Sequence, residues 1–196
     1  KRGSILRPYA LFHLAAIART SGNLVLERVY LDEVAASYPS ALVADAARNR
    51  RARSWLESGN YEMAAKAFES ILPNAGKTAG KGEDAVTREN RLYLARSYML
   101  SGKAAEARAI FTAIIGSASN PAQPDDASLA AAIALDKLDR TPGSPETAAP
   151  KLGDYEHLRR ASIYQFNRDF PDARLHYAAI VADHPASGIM PDAIFQ

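Results

Sequence analysis

The stretch ASIYQFNRDFPDARLHYAAIVADHP, residues 161–185, carries the pattern that decides the fold. Its landmarks are Ala161, Tyr164, Arg168, Phe170, Ala173, Tyr177, Ile180 and Pro185. Tyr164 stands one helical turn after Ala161, and Asn167, Arg168 and Asp169 can turn the chain. Ala173, Tyr177, Ile180, Val181 and His184 then fall at i, i+4, i+7, i+8 and i+11, the apolar stripe of a second helix that Pro185 ends. Ala161 and Ala173 are small where two helix axes must approach most closely, because a bulky side chain there would hold them apart. The stretch therefore predicts two short helices folded into a hairpin.

The same offsets recur upstream. From Ala52 they give Trp55, Gly59, Tyr61, Ala64, Phe68 and Ile71; from Ala95 they give Tyr98, Gly102, Ala104, Ala107, Phe111 and Ile114. From Ala15 they give Ala18, Gly22, Leu24, Glu27, Leu31, Val34 and Pro39. The anchors stand 37, 43 and 66 residues apart, and the last gap has room for one degenerate copy. A lone hairpin cannot bury its apolar face, whereas each hairpin of a stack covers its neighbour. Small, aromatic and glycine landmarks at this period resemble the tetratricopeptide repeat. That resemblance implies an all-α fold of tandem helix hairpins, wound as a right-handed superhelix or solenoid. It says little about function, since such arrays serve many purposes.

The pattern divides the chain into three hairpins over 1–116, an irregular link with one helix over 117–150, and a further hairpin with the start of the next repeat over 151–196. Helices are expected over 4–20, with Leu11, Leu14, Ala15 and Ala18 on one face, and over 24–38, with Leu24, Leu31, Val34 and Ala35 inward. Ser40 is the expected N-cap of a third helix reaching Ser58. Further helices are expected over 60–72, 83–101, 103–115, 125–139 and 155–167, the seventh marked by Leu129, Ile133 and Leu138. Residues 74–82 hold three glycines and two lysines. The P-loop pattern is absent and no strand precedes them, so they read as an insertion between repeats. Residues 141–150, with three prolines, read as an extended link.

With 47% hydrophobic residues the chain has enough apolar content for a core, and its net charge of +2 does not support dedicated nucleic-acid binding. Lacking cysteine, it leaves the compartment open. No apolar run approaches the ~20 residues of a membrane span. The start at Lys1 and the helix just begun at Ala193–Gln196 suggest an excised piece of a longer protein.

His13, His157, His176 and His184 show no metal spacing, and they read as surface or half-buried structural histidines; no metal site and no cofactor is expected. No serine elbow or Ser-His-Asp order is present, and no catalytic residue is assigned. Glu57 and Glu69, each followed by serine, fall at solvent-facing positions of the repeat. Arg48, Arg50, Arg51 and Arg53 spread around one helix and read as a solvated face with local ion pairs. The first helices of such an array line its concave side. By register that side carries Tyr9, Phe12, Arg19, Asn49, Arg53, Leu56, Leu92, Arg96, Met99, Tyr155, Ser162 and Gln165. Arginine with aromatics in a groove can hold a carboxylate-bearing extended peptide or glycan.

Two blocks carry a narrower resemblance. Leu158-Arg159-Arg160-Ala161, Tyr164, Asn167-Arg168-Asp169-Phe170 and Ala173-Arg174-Leu175-His176-Tyr177, closing in Pro191–Gln196, are similar to the α-superhelical region of soluble lytic murein transglycosylases, as are Tyr9–Ala15, Gly22-Asn23 and Tyr38-Pro39-Ser40. The catalytic glutamate motif of that family is unmatched, because Gly59 and Ile71 follow the two Glu-Ser pairs. The resemblance implies a non-catalytic scaffold in a periplasmic or cell-envelope protein, with a protein, a peptide or peptidoglycan as partner. The alternative is a peptide-binding tetratricopeptide adaptor unrelated to murein, for which the cytoplasm is also open.

Overall fold

The computed structural model describes residues 4–72, 83–118, 120–141, 143, 145 and 148–195, and among these every regular element is a helix. They are α1 (Arg7–Thr20), α2 (Leu24–Ser37), α3 (Ala44–Glu57), α4 (Tyr61–Ile71), α5 (Ala85–Leu100), α6 (Ala104–Gly116), α7 (Asp126–Asp139), α8 (Asp154–Phe166), α9 (Phe170–Asp183) and α10 (Met190–Phe195). The expected all-α chain of helix hairpins is observed. Residues 74–82, read above as an insertion, lie outside the described residues. The chain forms two compact units, Lys1–Thr78 with Glu89–Ala107, and Ala79–Arg88 with Arg108–Gln196.

In the first unit α1 packs on α2, α2 on α3 and α3 on α4. Anchors Ala15, Ala52 and Ala95 are all 0% exposed, as close helix approach requires. Leu11, Leu31, Val34 and Ala47 surround Ala15, with Phe12, Tyr30, Tyr38 and Val43 at the edge. Phe68 is fully buried and stacks on Tyr93 with ring centroids 5.7 Å apart. Burying a phenylalanine this completely contributes about 2–3 kcal/mol. In the second unit α7 packs on α8, α8 on α9 and α9 on α10. Ala161, Tyr164, Ala173 and Ile180 are all buried there.

The turns inside the hairpins follow one rule. Gly22, Gly59 and Gly102 have φ of 75°, 76° and 81°. The next N–H in each case donates back to the carbonyl of Ala18, Trp55 or Tyr98, at 2.9, 3.0 and 2.9 Å. This is the left-handed closure that satisfies orphan carbonyls at a helix end. The fourth turn uses Arg168 at φ 61°, with the N–H of Asp169 donating to the Tyr164 carbonyl at 2.9 Å. An arginine pays a steric penalty there that glycine avoids. Arg168→Gly should therefore stabilise the chain by about 0.5–1 kcal/mol, and Gly59→Ala should destabilise it by about 1 kcal/mol. Urea unfolding midpoints of the two variants test both signs.

Several local expectations are corrected. Helix α3 begins at Ala44 with Val43 as its cap residue and no side-chain cap bond, so Ser40 is not the N-cap. The turn bonds from the Ala41 N–H to Tyr38 and from the Ala44 N–H to Ala41 take up the residues between. Leu14 is 42% exposed, because the α1 stripe turned inward is Leu11, Ala15 and Ala18. Leu24 and Ala35 are only half-buried, and Val181 is exposed. In α7 the buried stripe is Ala131, Ala132, Ala134 and Leu135, while Ile133 is exposed. An alanine-rich helix offers more than one apolar face, and packing against α8 selects the one with the smallest side chains.

Candidate functional site

Three first helices of the first unit, α1, α3 and α5, line an open groove of about 750 Å³. Phe12 and Arg19 enter it from α1, Asn49, Arg50, Arg53 and Leu56 from α3, and Tyr93, Arg96 and Leu100 from α5. Turn-by-turn spacing explains the set: Asn49, Arg53 and Leu56 share one face of α3, and Tyr93, Arg96 and Leu100 share one face of α5.

Most of the cations are already committed. Arg53 donates to Glu89 at 2.5 Å and lies 4.7 Å over the Tyr93 ring. Its Nε is buried with no partner. Arg50 donates to Glu27 at 2.8 Å and lies 5.6 Å from the Phe12 ring centroid. Glu27 is 0% exposed and keeps one oxygen, Oε2, without a partner. Arg19 donates to Glu57 at 2.5 Å, and the Asn90 amide donates to Asn49 at 2.9 Å. Tyr93 donates to Glu89 at 3.0 Å, and burial pushes its phenol above the ordinary value. Arg96 is exposed and has no hydrogen bond or ion pair among the described residues. The groove thus offers aromatic walls, a fixed set of paired arginines and one uncommitted guanidinium.

Of the residues placed on the concave side by register, Phe12, Arg19, Asn49, Arg53, Leu56 and Arg96 meet in this groove. Tyr9 instead lines a separate cleft with Pro8, Tyr38 and Pro39. Leu92 and Met99 are half-buried and outside the lining. Tyr155, Ser162 and Gln165 belong to the second unit. There Tyr155 and Ser162 line a cleft with Pro124, and Gln165 accepts from the Tyr177 hydroxyl at 2.7 Å. Arg50, Tyr61 and Tyr93 were missed, although Arg50 and Tyr93 each stand three residues before a chosen arginine. The arginine run does form ion pairs. Arg48 pairs within α3 with Asp45 at 2.5 Å, whereas Arg50, Arg51 and Arg53 reach other helices, at Glu27, Asp32 and Glu89. Glu57 and Glu69 are also engaged, by Arg19 and by the Tyr98 hydroxyl, whose pKa burial and Glu69 together raise to about 12.

The second unit holds a buried polar cluster that the one-dimensional pattern did not show. Asp136, 6% exposed, accepts from Arg160 at 2.5 Å, from the Tyr164 hydroxyl at 2.6 Å and from His176 Nε2 at 3.0 Å. Arg160 also reaches Asp139 at 2.5 Å. His176 Nδ1 lies 2.9 Å from His157 Nδ1. Across that contact one imidazole donates and the other accepts, and the remaining ring nitrogen of His157 is its Nε2. That Nε2 is buried without a partner. The reading of these two histidines as surface or half-buried is corrected: His157 and His176 are 0% and 2% exposed. They are drawn inside because Asp136, distant in sequence, supplies the partner. Burial first, then the neighbouring His176, His184 and Arg160, lower His157 to about 4. Burial alone would raise the Asp136 carboxyl, but its hydrogen bonds from His176, Tyr164 and Arg160 outweigh that and hold it below the usual range. No group of three candidate metal ligands is found among the described residues.

The tetratricopeptide repeat profile matches residues 89–120, which take in most of α5 and all of α6. No characterised protein matches the chain. Repeat match and all-helical hairpins together define the class: a tetratricopeptide-like helical repeat protein. Repeats of this class generally bind protein or peptide partners. No helix among the described residues is long and apolar enough to cross a membrane.

Proposed function

We propose that this chain is a non-catalytic interaction scaffold whose α1–α3–α5 groove holds an extended peptide bearing a carboxylate. The observation that carries this reading is the convergence of Phe12, Asn49, Arg53 and Arg96 from three successive first helices on one groove, with Arg96 uncommitted. An extended ligand can lie across the three helices, its apolar side chains against Phe12, Tyr93 and Leu56. Its carboxylate is met by Arg96, backed by Arg53. The proposal includes an envelope setting, as part of a periplasmic protein related to lytic transglycosylases, and this rests on the sequence likeness around Tyr9–Ala15 and Leu158–Tyr177. Muropeptides, which combine a glycan with peptide carboxylates, are therefore the second ligand class to test.

Fluorescence titration of the chain with acidic-ended peptides, and separately with muropeptides, is the test. Arg96→Ala should weaken binding by about 10- to 100-fold, the worth of a charge-assisted hydrogen bond. Arg53→Ala should weaken it comparably. Unchanged affinity in both variants for a ligand that binds the parent chain would remove the groove assignment.

A further inference from the structure

The groove of the first unit already holds a carboxylate, that of Glu89 on α5. Arg53 and Arg96 each stand one residue after an anchor, Ala52 on α3 and Ala95 on α5, so equivalent turns of two successive first helices bring both guanidinia to the groove. The charges of both act on the Tyr93 hydroxyl. Arg96 is uncommitted, whereas Arg53 Nη2 donates to one Glu89 oxygen at 2.5 Å and the Tyr93 hydroxyl donates to the other at 3.0 Å.

Glu27, Glu57 and Glu89 all pair with groove arginines, and they differ in what their departure would cost. Glu27 is 0% exposed and is shared by Arg50 and Arg19, so moving it would strand buried charge. Glu57 is free to leave, but Arg19 then still has Glu27 at 3.5 Å. Glu89 has a side chain 42% exposed, and an ion pair this open to water contributes little to stability. Arg53 has no second carboxylate among the described residues. Its pairing is also incomplete, because Glu89 takes Nη2 while Nε is buried without a partner. A guanidinium offers its nitrogens as a fork for both oxygens of one carboxylate, and Glu89 spends its second oxygen on Tyr93. A carboxylate entering between Arg53 and Arg96 meets two cations where Glu89 meets one.

We propose that Glu89 is an intramolecular stand-in for the ligand's carboxylate, a self-inhibiting latch that an acidic peptide displaces before Arg53 joins Arg96 in holding it. This rests on the reading of the groove as a carboxylate-binding surface. Glu89 swings into solvent as the ligand enters, and the apparent affinity is reduced by the fraction of molecules in which the latch is open. A neutral peptide brings no charge to exchange for that of Glu89, and it is left with Arg96 and the aromatic walls.

The probe is a fluorescent peptide of alanine and leucine ending in a free aspartate, titrated by anisotropy with the whole chain and with its Glu89→Gln and Glu89→Asp variants. Glutamine keeps the size and removes the charge; aspartate keeps the charge and falls one methylene short of Arg53. Glu89→Gln should tighten binding by about two- to fivefold, the worth of a part-exposed ion pair, and Glu89→Asp should tighten it by less. The Arg53 Nε–H signal, followed by side-chain NMR, should respond to acetate at lower concentration in Glu89→Gln than in the parent chain. Equal or weaker peptide affinity in Glu89→Gln, parent affinity in Glu89→Asp, or an Arg53 signal that answers acetate alike in both proteins overturns the latch. Where such a result accompanies peptide binding that still needs Arg53 and Arg96, the groove itself stands. Absent binding at millimolar peptide in the parent and both variants removes latch and groove together.

Discussion

Asp136→Ala is expected to destabilise the protein by about 3–5 kcal/mol, among the largest losses for any single substitution here. The carboxylate is the common acceptor for Arg160, Tyr164 and His176, which come from α8 and α9 while Asp136 itself sits on α7. Its removal leaves the buried Tyr164 hydroxyl and His176 Nε2 without their acceptor. It also takes from Arg160, 2% exposed, one of three carboxylate partners, Asp139 and Glu156 remaining. The cost is that of several buried polar groups losing a shared partner rather than of one lost hydrogen bond. Replacing charges on both sides by apolar groups of similar volume, as in Asp136→Leu with Arg160→Met, should lose clearly less than Asp136→Ala alone. Urea unfolding followed by the helical signal supplies the comparison. A loss below 1 kcal/mol for Asp136→Ala would show that the cluster does not tie α7 to α8 and α9.

The second large effect is on pH dependence. His157 faces His176 at 5.2 Å and His184 at 6.1 Å between ring centroids, with Arg160 also opposing a positive charge and only Asp183 favouring one. Its folded-state value of about 4 lies below the 6.5 of an unhindered imidazole. The folded state therefore refuses a proton that the unfolded chain accepts. The associated stability is fully present above pH 6.5 and is lost progressively as the pH falls from 6.5 to 4. That interval corresponds to up to about 3 kcal/mol. The lowered carboxylates Asp125 and Asp136 act only below this window, because their contribution is lost below the ordinary carboxylate range. His157→Leu should accordingly flatten the profile between pH 6.5 and 4 while leaving the steeper acid limb in place. Denaturation midpoints measured across pH 3.5–7.5 on both proteins decide it; parallel profiles would mean that His157 takes up its proton without hindrance.

The fold was legible in one dimension because its determinants are local and recur. Ala15, Ala52, Ala95 and Ala161 must be small for two helices to touch, and Gly22, Gly59 and Gly102 must tolerate positive φ for the chain to reverse. Either constraint is visible as a residue type at a fixed spacing. Half of the groove was legible for the same reason: Phe12, Asn49, Arg53 and Arg96 follow from the face a first helix turns away from its partner. Leu14 and Ile133 were misplaced because helical periodicity identifies a stripe without saying which flank of it a neighbour covers.

What the amino-acid order determined by itself is the repeating unit: two helices, a left-handed turn and a small-residue contact, all set by interactions within about twenty residues. Only the tertiary structure decided which charges are spoken for. Glu89 takes Arg53 while Arg96 remains uncommitted, and Asp136 draws His176, and His157 behind it, out of water. Those outcomes depend on distances between residues 20 to 40 positions apart, to which spacing along a single helix is blind.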